Sequence, residues 1–132
     1  MINVDQLRPN GIKRKVIVSP TYAITTAGDY PIATLPHGGK ILGIWFVPTV
    51  ALTVADEVVD IGIAPDGDTV IDGFVVPYAT SAIGTAVDIF QTKGTNGGVT
   101  NVGALTTLWA QSSGASTAGT GFFVTEYEDN NN

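Results

Sequence analysis

Glycine and proline interrupt this chain so often that little room is left for a helix. The 132 residues include 16 glycines and seven prolines, and no stretch of twelve residues keeps apolar side chains at helical spacing without one of them. Both residues weaken helix interiors, and tight turns depend on both. The pattern therefore predicts short strands separated by turns.

Alternation of apolar and polar side chains places the strands. Residues 57–64 and 121–128 alternate with a period of two. Residues 40–48 are apolar at nearly every position, which predicts a strand buried on both faces. Residues 69–77 are either a strand or a short helical excursion. Further strands are predicted at residues 14–19, 22–26, 30–35, 85–92 and 104–111. This spacing predicts an all-β fold, an antiparallel β-sandwich or jelly roll of about eight strands in two packed sheets.

The length and the charge distribution predict one domain with a basic arm. Residues 1–12 are expected to form an extended N-terminal arm, residues 13–128 the β-sandwich domain, and residues 129–132 a polar tail. Residues 1–15 carry four basic side chains against one acid, a net charge of +3, whereas the remainder carries two against eleven, a net charge of −9. The basic residues of the first segment are Arg8, Lys13, Arg14 and Lys15.

The sequence lacks the residues that several chemistries require. It has no cysteine, and His37 is its one histidine, so no thiolate or transition-metal site is expected. The acidic body argues against nucleic acid as a partner. The longest apolar run, near residues 41–52, is shorter than the roughly 20 residues of a membrane helix. Residues 1–15 contain no apolar signal-peptide core. We therefore expect a protein made in the cytoplasm, with no membrane partner.

Two acidic clusters are candidates for paired catalytic acids, and the turn at residues 66–68 in one of them is a candidate calcium loop. They consist of Asp56, Glu57 and Asp60, and of Asp66, Asp68 and Asp72. A glycosidase needs two acids that converge across a cleft, but acids are ordinary at turns and on strand exteriors, so no catalytic residue is predicted. Calcium prefers such oxygen ligands, yet Val70 replaces an acid of the EF-hand spacing. Calcium binding stays an open alternative, and no cofactor is predicted.

Two pairs of adjacent aromatic residues give the clearest sign of a protein partner. Neighbouring side chains on a strand point to opposite faces. Only one member of Trp45–Phe46, and one of Phe122–Phe123, can therefore enter a core between two sheets. The other member faces solvent or another subunit. All four are candidates for an oligomer interface, unless residues 66–82 cover the outer face.

Three pieces of the sequence resemble head decoration (cement) proteins of tailed bacteriophages. They are GKILGI at 39–44, VDIGIA at 59–64 and STAGTGFFVTEY at 116–127. A short basic arm that leads into a jelly roll rich in glycine, threonine and alanine is similar to that family as well. The resemblance implies a non-enzymatic virion protein on the outer capsid surface, often a homotrimer, that bridges neighbouring subunits of the major capsid protein.

The resemblance also implies roles for the residues already named. The four basic residues at 8, 13, 14 and 15 would contact an acidic strip of the shell. The outward members of the four aromatic residues and the Val/Ile-rich strands would form the trimer seam. Three other functions stay open. They are a carbohydrate- or receptor-binding module of a phage tail fibre, a minor structural protein of the tail or connector, and a small hydrolase on a β-sandwich.

Overall fold

The computed structural model describes residues 13–24, 27–51, 58–65, 69–75, 84, 86–90, 102–114 and 118–129. This part of the chain forms nine strands. It contains no helix with the length and apolar character needed to cross a membrane. The strands are β1 (Lys13–Val18), β2 (Tyr22–Ala23), β3 (Gly28–Leu35), β4 (Lys40–Val50), β5 (Val58–Gly62), β6 (Ile71–Val75), β7 (Val87–Asp88), β8 (Thr106–Ser112) and β9 (Thr120–Asp129). The predicted arm, residues 1–12, lies outside the described residues.

The strands pair as two antiparallel sheets. The five-stranded sheet has the order β1-β9-β4-β7, with the two-residue β2 also paired to β9, and the four-stranded sheet has the order β3-β8-β5-β6. The pairs β1–β9, β3–β8, β4–β7 and β5–β6 are nested about the β5–β6 connection. A nested hairpin wound into two sheets in this way is a jelly roll. The predicted fold class is confirmed.

The core lies between the two sheets and is almost wholly aliphatic and aromatic. The five-stranded sheet contributes Ile41, Ile44, Phe46, Phe123 and Tyr127, and the four-stranded sheet contributes Leu35, Val59, Ile61, Leu108 and Ala110. These side chains alternate with less buried ones along their strands, as the period of two requires. Burial of this apolar surface is the main contribution to folding.

The corner between the sheets is held by polar contacts. The Ser19 amide donates to the Phe123 carbonyl (2.9 Å), and the Phe123 amide donates to the Ser19 hydroxyl oxygen (2.9 Å). Pro20 follows, where β1 has ended as predicted. Tyr22 and Tyr30 stack with ring centroids 5.0 Å apart, and each hydroxyl donates to a backbone carbonyl beside the other ring. The tyrosine contacts join β2 of one sheet to β3 of the other, whereas the Ser19 bonds hold the end of β1 to β9 within one sheet.

Two expectations about individual strands need correction. The strand predicted at residues 85–92 is regular, within its described residues 86–90, at Val87–Asp88, because the Asp88 carboxylate accepts the Phe90 amide (3.1 Å) and the chain turns there. The strand predicted to be buried on both faces, β4, buries one face fully and leaves Leu42, Trp45 and Val47 half-buried on the other. Residues 69–77, left ambiguous by the sequence, contain strand β6.

Candidate functional site

The pleat of the five-stranded sheet separates the two aromatic pairs. Phe46 and Phe123 lie opposite each other on β4 and β9 and point into the core, with ring centroids 5.2 Å apart at an angle of 53°. Their exposed fractions are 1% and 0%. Trp45 and Phe122 therefore lie on the outer face of the sheet, where both are half-buried. The expectation that all four form an oligomer interface is corrected for Phe46 and Phe123, which the monomer core already covers.

Register brings further apolar side chains beside these two. Val18 on β1 lies opposite Val124 on β9, which in turn lies opposite Trp45 on β4. One row away, Phe122 lies opposite Val47. We call this set the apolar outer face, and it consists of Val16, Val18, Trp45, Val47, Phe122 and Val124. Outer faces of antiparallel sandwiches are usually polar, so a covered surface is indicated.

Gly43 determines how the Trp45 indole lies. A methyl group at Gly43 would collide with the six-membered ring of Trp45. The methyl carbon would lie against Cη2 of the ring, 2.8 Å from Cζ3 and 3.0 Å from Cζ2. The indole therefore extends along the strand over the Gly43 backbone, where β4 and β9 also shift in register. A large, flat, half-buried ring results at the centre of the sheet.

The edge strand leaves apolar surface to water in the monomer. Val16 is 58% exposed and Val18 is 61% exposed, although both belong to a regular strand. Among the described residues β1 is the edge of its sheet, and a Val-rich edge strand is also a template for pairing with another chain. Exposed apolar side chains at an open edge, continuous with a half-buried tryptophan, are typical of a surface that meets a partner.

Charged side chains lie at one end of β1 and β9, with Arg14 on the side of the apolar outer face and Lys15 on the opposite face of the sheet. The Arg14 guanidinium lies 3.6 Å from the Glu126 carboxylate, and the Lys15 ammonium lies 3.3 Å from the Asp129 carboxylate. Of the four basic residues predicted to bind a shell, these two are thus ion-paired within their own chain. Arg8 lies outside the described residues, as does the side chain of Lys13. In both ion pairs the basic side chain is exposed and the carboxylate is half-buried, and ion pairs near the surface contribute little to stability.

Few side chains suited to chemistry meet in the described ranges. His37 is exposed in the turn before β4, as its neighbours Pro36 and Gly38 predict. No group of three His, Cys, Asp or Glu residues there could hold a metal ion. The turn predicted to bind calcium in the alternative interpretation, residues 66–68, lies outside the described residues, as do Asp56 and Glu57.

The sequence analysis expected the Val/Ile-rich strands to contribute to the seam, but it did not single out the individual valines of the apolar outer face. Their signal is the breakdown of alternation, because residues 41–47 and 122–124 are apolar on both faces. We interpreted the first of these runs as two-sided burial within one chain. Only the edge position of β1 and the lack of a described covering layer show that the second face is open.

Comparisons with known proteins identify relatives in fold. No protein-family model matches the sequence, and no curated protein matches it. A chain of the acidic stable capsid structure of Helicobacter pylori bacteriophage KHP30 is similar, with a TM-score of 0.64 and 11% identity over 89% of each chain. A chain of the cyanophage Pam1 capsid asymmetric unit has a TM-score of 0.56 and 16% identity over 89% of this chain and 85% of that one. At these identities the likeness establishes a shared fold.

Proposed function

We propose that this jelly roll is a structural protein of a bacteriophage virion that binds the outer surface of the assembled capsid. It stabilises the capsid by bridging neighbouring subunits of the major capsid protein, and it is not an enzyme. The observation that carries the proposal is the apolar outer face on a fold shared with chains of two phage capsid structures. The protein would be made in the host cytoplasm and end on the virion surface.

The apolar outer face is the proposed seam of a homotrimer. Trp45 and Phe122 supply the large rings, and Val16 and Val18 extend the surface to the sheet edge. Aromatic residues at the centre of a contact contribute most of its binding energy. Closed rotational symmetry covers such a face on every copy without forming a filament.

The basic residues are the proposed contact with the shell. Arg14 and Lys15 are exposed and can exchange Glu126 and Asp129 for acids of a capsid subunit, because ion pairs near the surface contribute only about 0–1 kcal/mol. Arg8 and Lys13 would act alongside them. The remaining body is acidic, which supports a protein partner rather than nucleic acid.

Stabilisation would follow from mass action. A protein that binds the assembled lattice, and not free subunits, shifts the equilibrium toward the lattice by its binding free energy. A trimer can engage several capsid subunits at once, so weak individual contacts act together. No covalent chemistry is needed for this role.

The oligomer is tested by light scattering behind size exclusion. We expect the mass of three chains for the natural sequence and a single chain for Phe122→Ser, since the ring is lost from the seam. Leu105→Ser is the matched control, because Leu105 is 76% exposed but lies outside the apolar outer face. A natural protein that stays monomeric at high concentration contradicts the trimer.

Shell binding is tested by co-sedimentation with empty capsids assembled from the major capsid protein of the same genome. The natural chain should sediment with them and raise their disassembly temperature. Deletion of residues 1–12 should abolish binding without lowering the melting temperature of the chain, whereas Lys93→Glu should bind normally. Full binding by the deletion variant contradicts the arm, and no binding by the natural chain contradicts the proposed function. The second outcome would favour a tail-fibre, tail or connector protein instead.

A further inference from the structure

The outer face of the four-stranded sheet has a different chemistry from the apolar outer face. Trp109 on β8 points away from the core, because its neighbours Leu108 and Ala110 are buried beneath the sheet. It is half-buried and lies opposite Pro31 on β3 and Gly62 on β5. Gly62 has no side chain, so the residues in register with Trp109 leave space beside the indole ring.

Hydrogen-bonding groups form the next row along the same face. Gln111 follows Trp109 by two residues and therefore lies on the same side of β8. It is in register with Asp29 on β3 and with Asp60 on β5. An amide flanked by two carboxylates thus lies one row from an aromatic ring.

A depression of about 310 Å³ adjoins this row. Its volume lies at the lower end of small-molecule sites, roughly 300–1,000 Å³. The lining residues are Ala27, Val58, Asp60, Gln111, Ser112 and Ser113. Val58 and Ser113 bond each other through their backbones, and the Ser112 hydroxyl donates to the Ile24 carbonyl (2.9 Å), so the walls are held by the fold.

These groups suit a ligand with one apolar face and several hydroxyls. A ring of C–H groups can pack on indole, while hydroxyls can donate to carboxylates and both donate to and accept from an amide. The carboxylates of Asp29 and Asp60 repel phosphate or carboxylate groups. A purely apolar ligand would remove water from those carboxylates and offer no hydrogen bond in return.

We propose that this face, formed by Trp109, Asp29, Asp60 and Gln111, binds a neutral pyranose saccharide. The sugar ring packs on Trp109, and its hydroxyls bond the Asp60–Gln111 row at the depression. The two sheets face in opposite directions, so the saccharide site stays open when the apolar outer face is covered. The inference does not depend on the capsid role, since it concerns the isolated chain.

The test uses the two tryptophans as site and internal control. The full chain, labelled with ¹⁵N at the indole nitrogens, is titrated with the methyl glycosides of glucose, galactose, mannose and N-acetylglucosamine. We expect the Trp109 indole resonance to shift in a saturable manner with at least one of them, and the Trp45 resonance to stay unchanged. Sialic acid at the same concentrations should produce no shift.

Variants separate the site from a general surface effect. Trp109→Ala should weaken binding at least about tenfold, because an aromatic anchor is removed, and Gln111→Ala should weaken it while leaving the ring in place. Leu105→Ser, at an exposed residue just before β8, should bind as the natural chain does. The proposal is overturned if no neutral glycoside shifts Trp109 up to 50 mM, on the order of the weakest useful affinity, if Trp109→Ala binds equally well, or if only an ammonium ligand such as choline binds.

Discussion

The two sheets of this jelly roll have similar inner faces and opposite outer faces. Both contribute aliphatic and aromatic side chains to one core. On the outside, the five-stranded sheet presents Trp45, Phe122 and exposed valines, whereas the four-stranded sheet presents Thr34, Asp60 and Gln111 around Trp109. Folding alone requires only the inner faces to be apolar. The composition of each outer face therefore indicates what that face contacts in the folded protein.

The largest expected effect distinguishes the core from the apolar outer face. Phe123→Ala should lower the free energy of unfolding by about 3–5 kcal/mol, because a fully buried ring is lost and a cavity remains. Phe122→Ala, one residue earlier on the outer face, should cost about 1 kcal/mol or less. Urea unfolding of the dilute monomer measures both. Equal losses would mean that the outer face belongs to the core of the monomer.

A charge placed on each outer face tests the difference between the faces directly. Val18→Asp should raise the dissociation constant of the oligomer at least about tenfold, since an unpaired carboxylate would be buried in the seam. Thr107→Asp on the four-stranded sheet should leave association unchanged. Thr107 should tolerate substitution, because its hydroxyl makes a hydrogen bond to Thr34 at the surface (3.1 Å). Sedimentation velocity over a concentration series gives both constants, and an equal effect would contradict the assignment of the seam.

A smaller change tests the support beneath Trp45. Gly43→Ala should destabilise the chain by about 1–3 kcal/mol, because the new methyl group collides with the indole and forces it to move. Gly103→Ala is the matched control, with no atom within 4 Å of the added methyl group, and should stay within about 0.5 kcal/mol. Thermal unfolding measures both. A neutral Gly43→Ala would show that the indole can leave its position freely.

The smallest expected effect is a gain on the buried side of the same sheet. The Thr125 hydroxyl is buried without a hydrogen-bond partner, and the residue is 0% exposed. Thr125→Val keeps the shape and removes the unpaired group, so the chain should become more stable by about 1 kcal/mol. Thr34→Val, where the hydroxyl bonds Thr107, should give no gain. Calorimetry of the two variants decides the matter, and a loss at Thr125→Val would point to a partner for its hydroxyl.

Local pattern predicted much of the fold. The alternation at residues 57–64 and 121–128 locates β5 and β9 to within two residues, because side-chain direction along a strand repeats every two positions. Of the strand predicted at 85–92, the described residues 86–90 contain β7 at Val87–Asp88, and the chain then turns where the Asp88 side chain competes with the sheet for the Phe90 amide. Composition could not reveal that competition.

The candidate site was predictable only in part. The rule that adjacent aromatics diverge indicated that one ring of each pair faces outward, but not which one. Val18 and Val124 are more than a hundred residues apart in sequence, and they meet because β1 pairs with β9 in one register. Such pairings are set by the whole fold, so local sequence carries little information about them.

The sequence by itself determined that this chain is all-β, that its strands are short and bounded by glycine and proline, and that thiol chemistry is absent. These properties depend on residue type and on spacing within one strand. The tertiary structure decided which face of each strand became the interior and which distant strands became neighbours. It thereby assembled an apolar outer face on one sheet and the Trp109 row on the other. The physical reason is that side-chain direction is a local property, whereas cross-strand register is fixed by contacts between residues far apart in the chain.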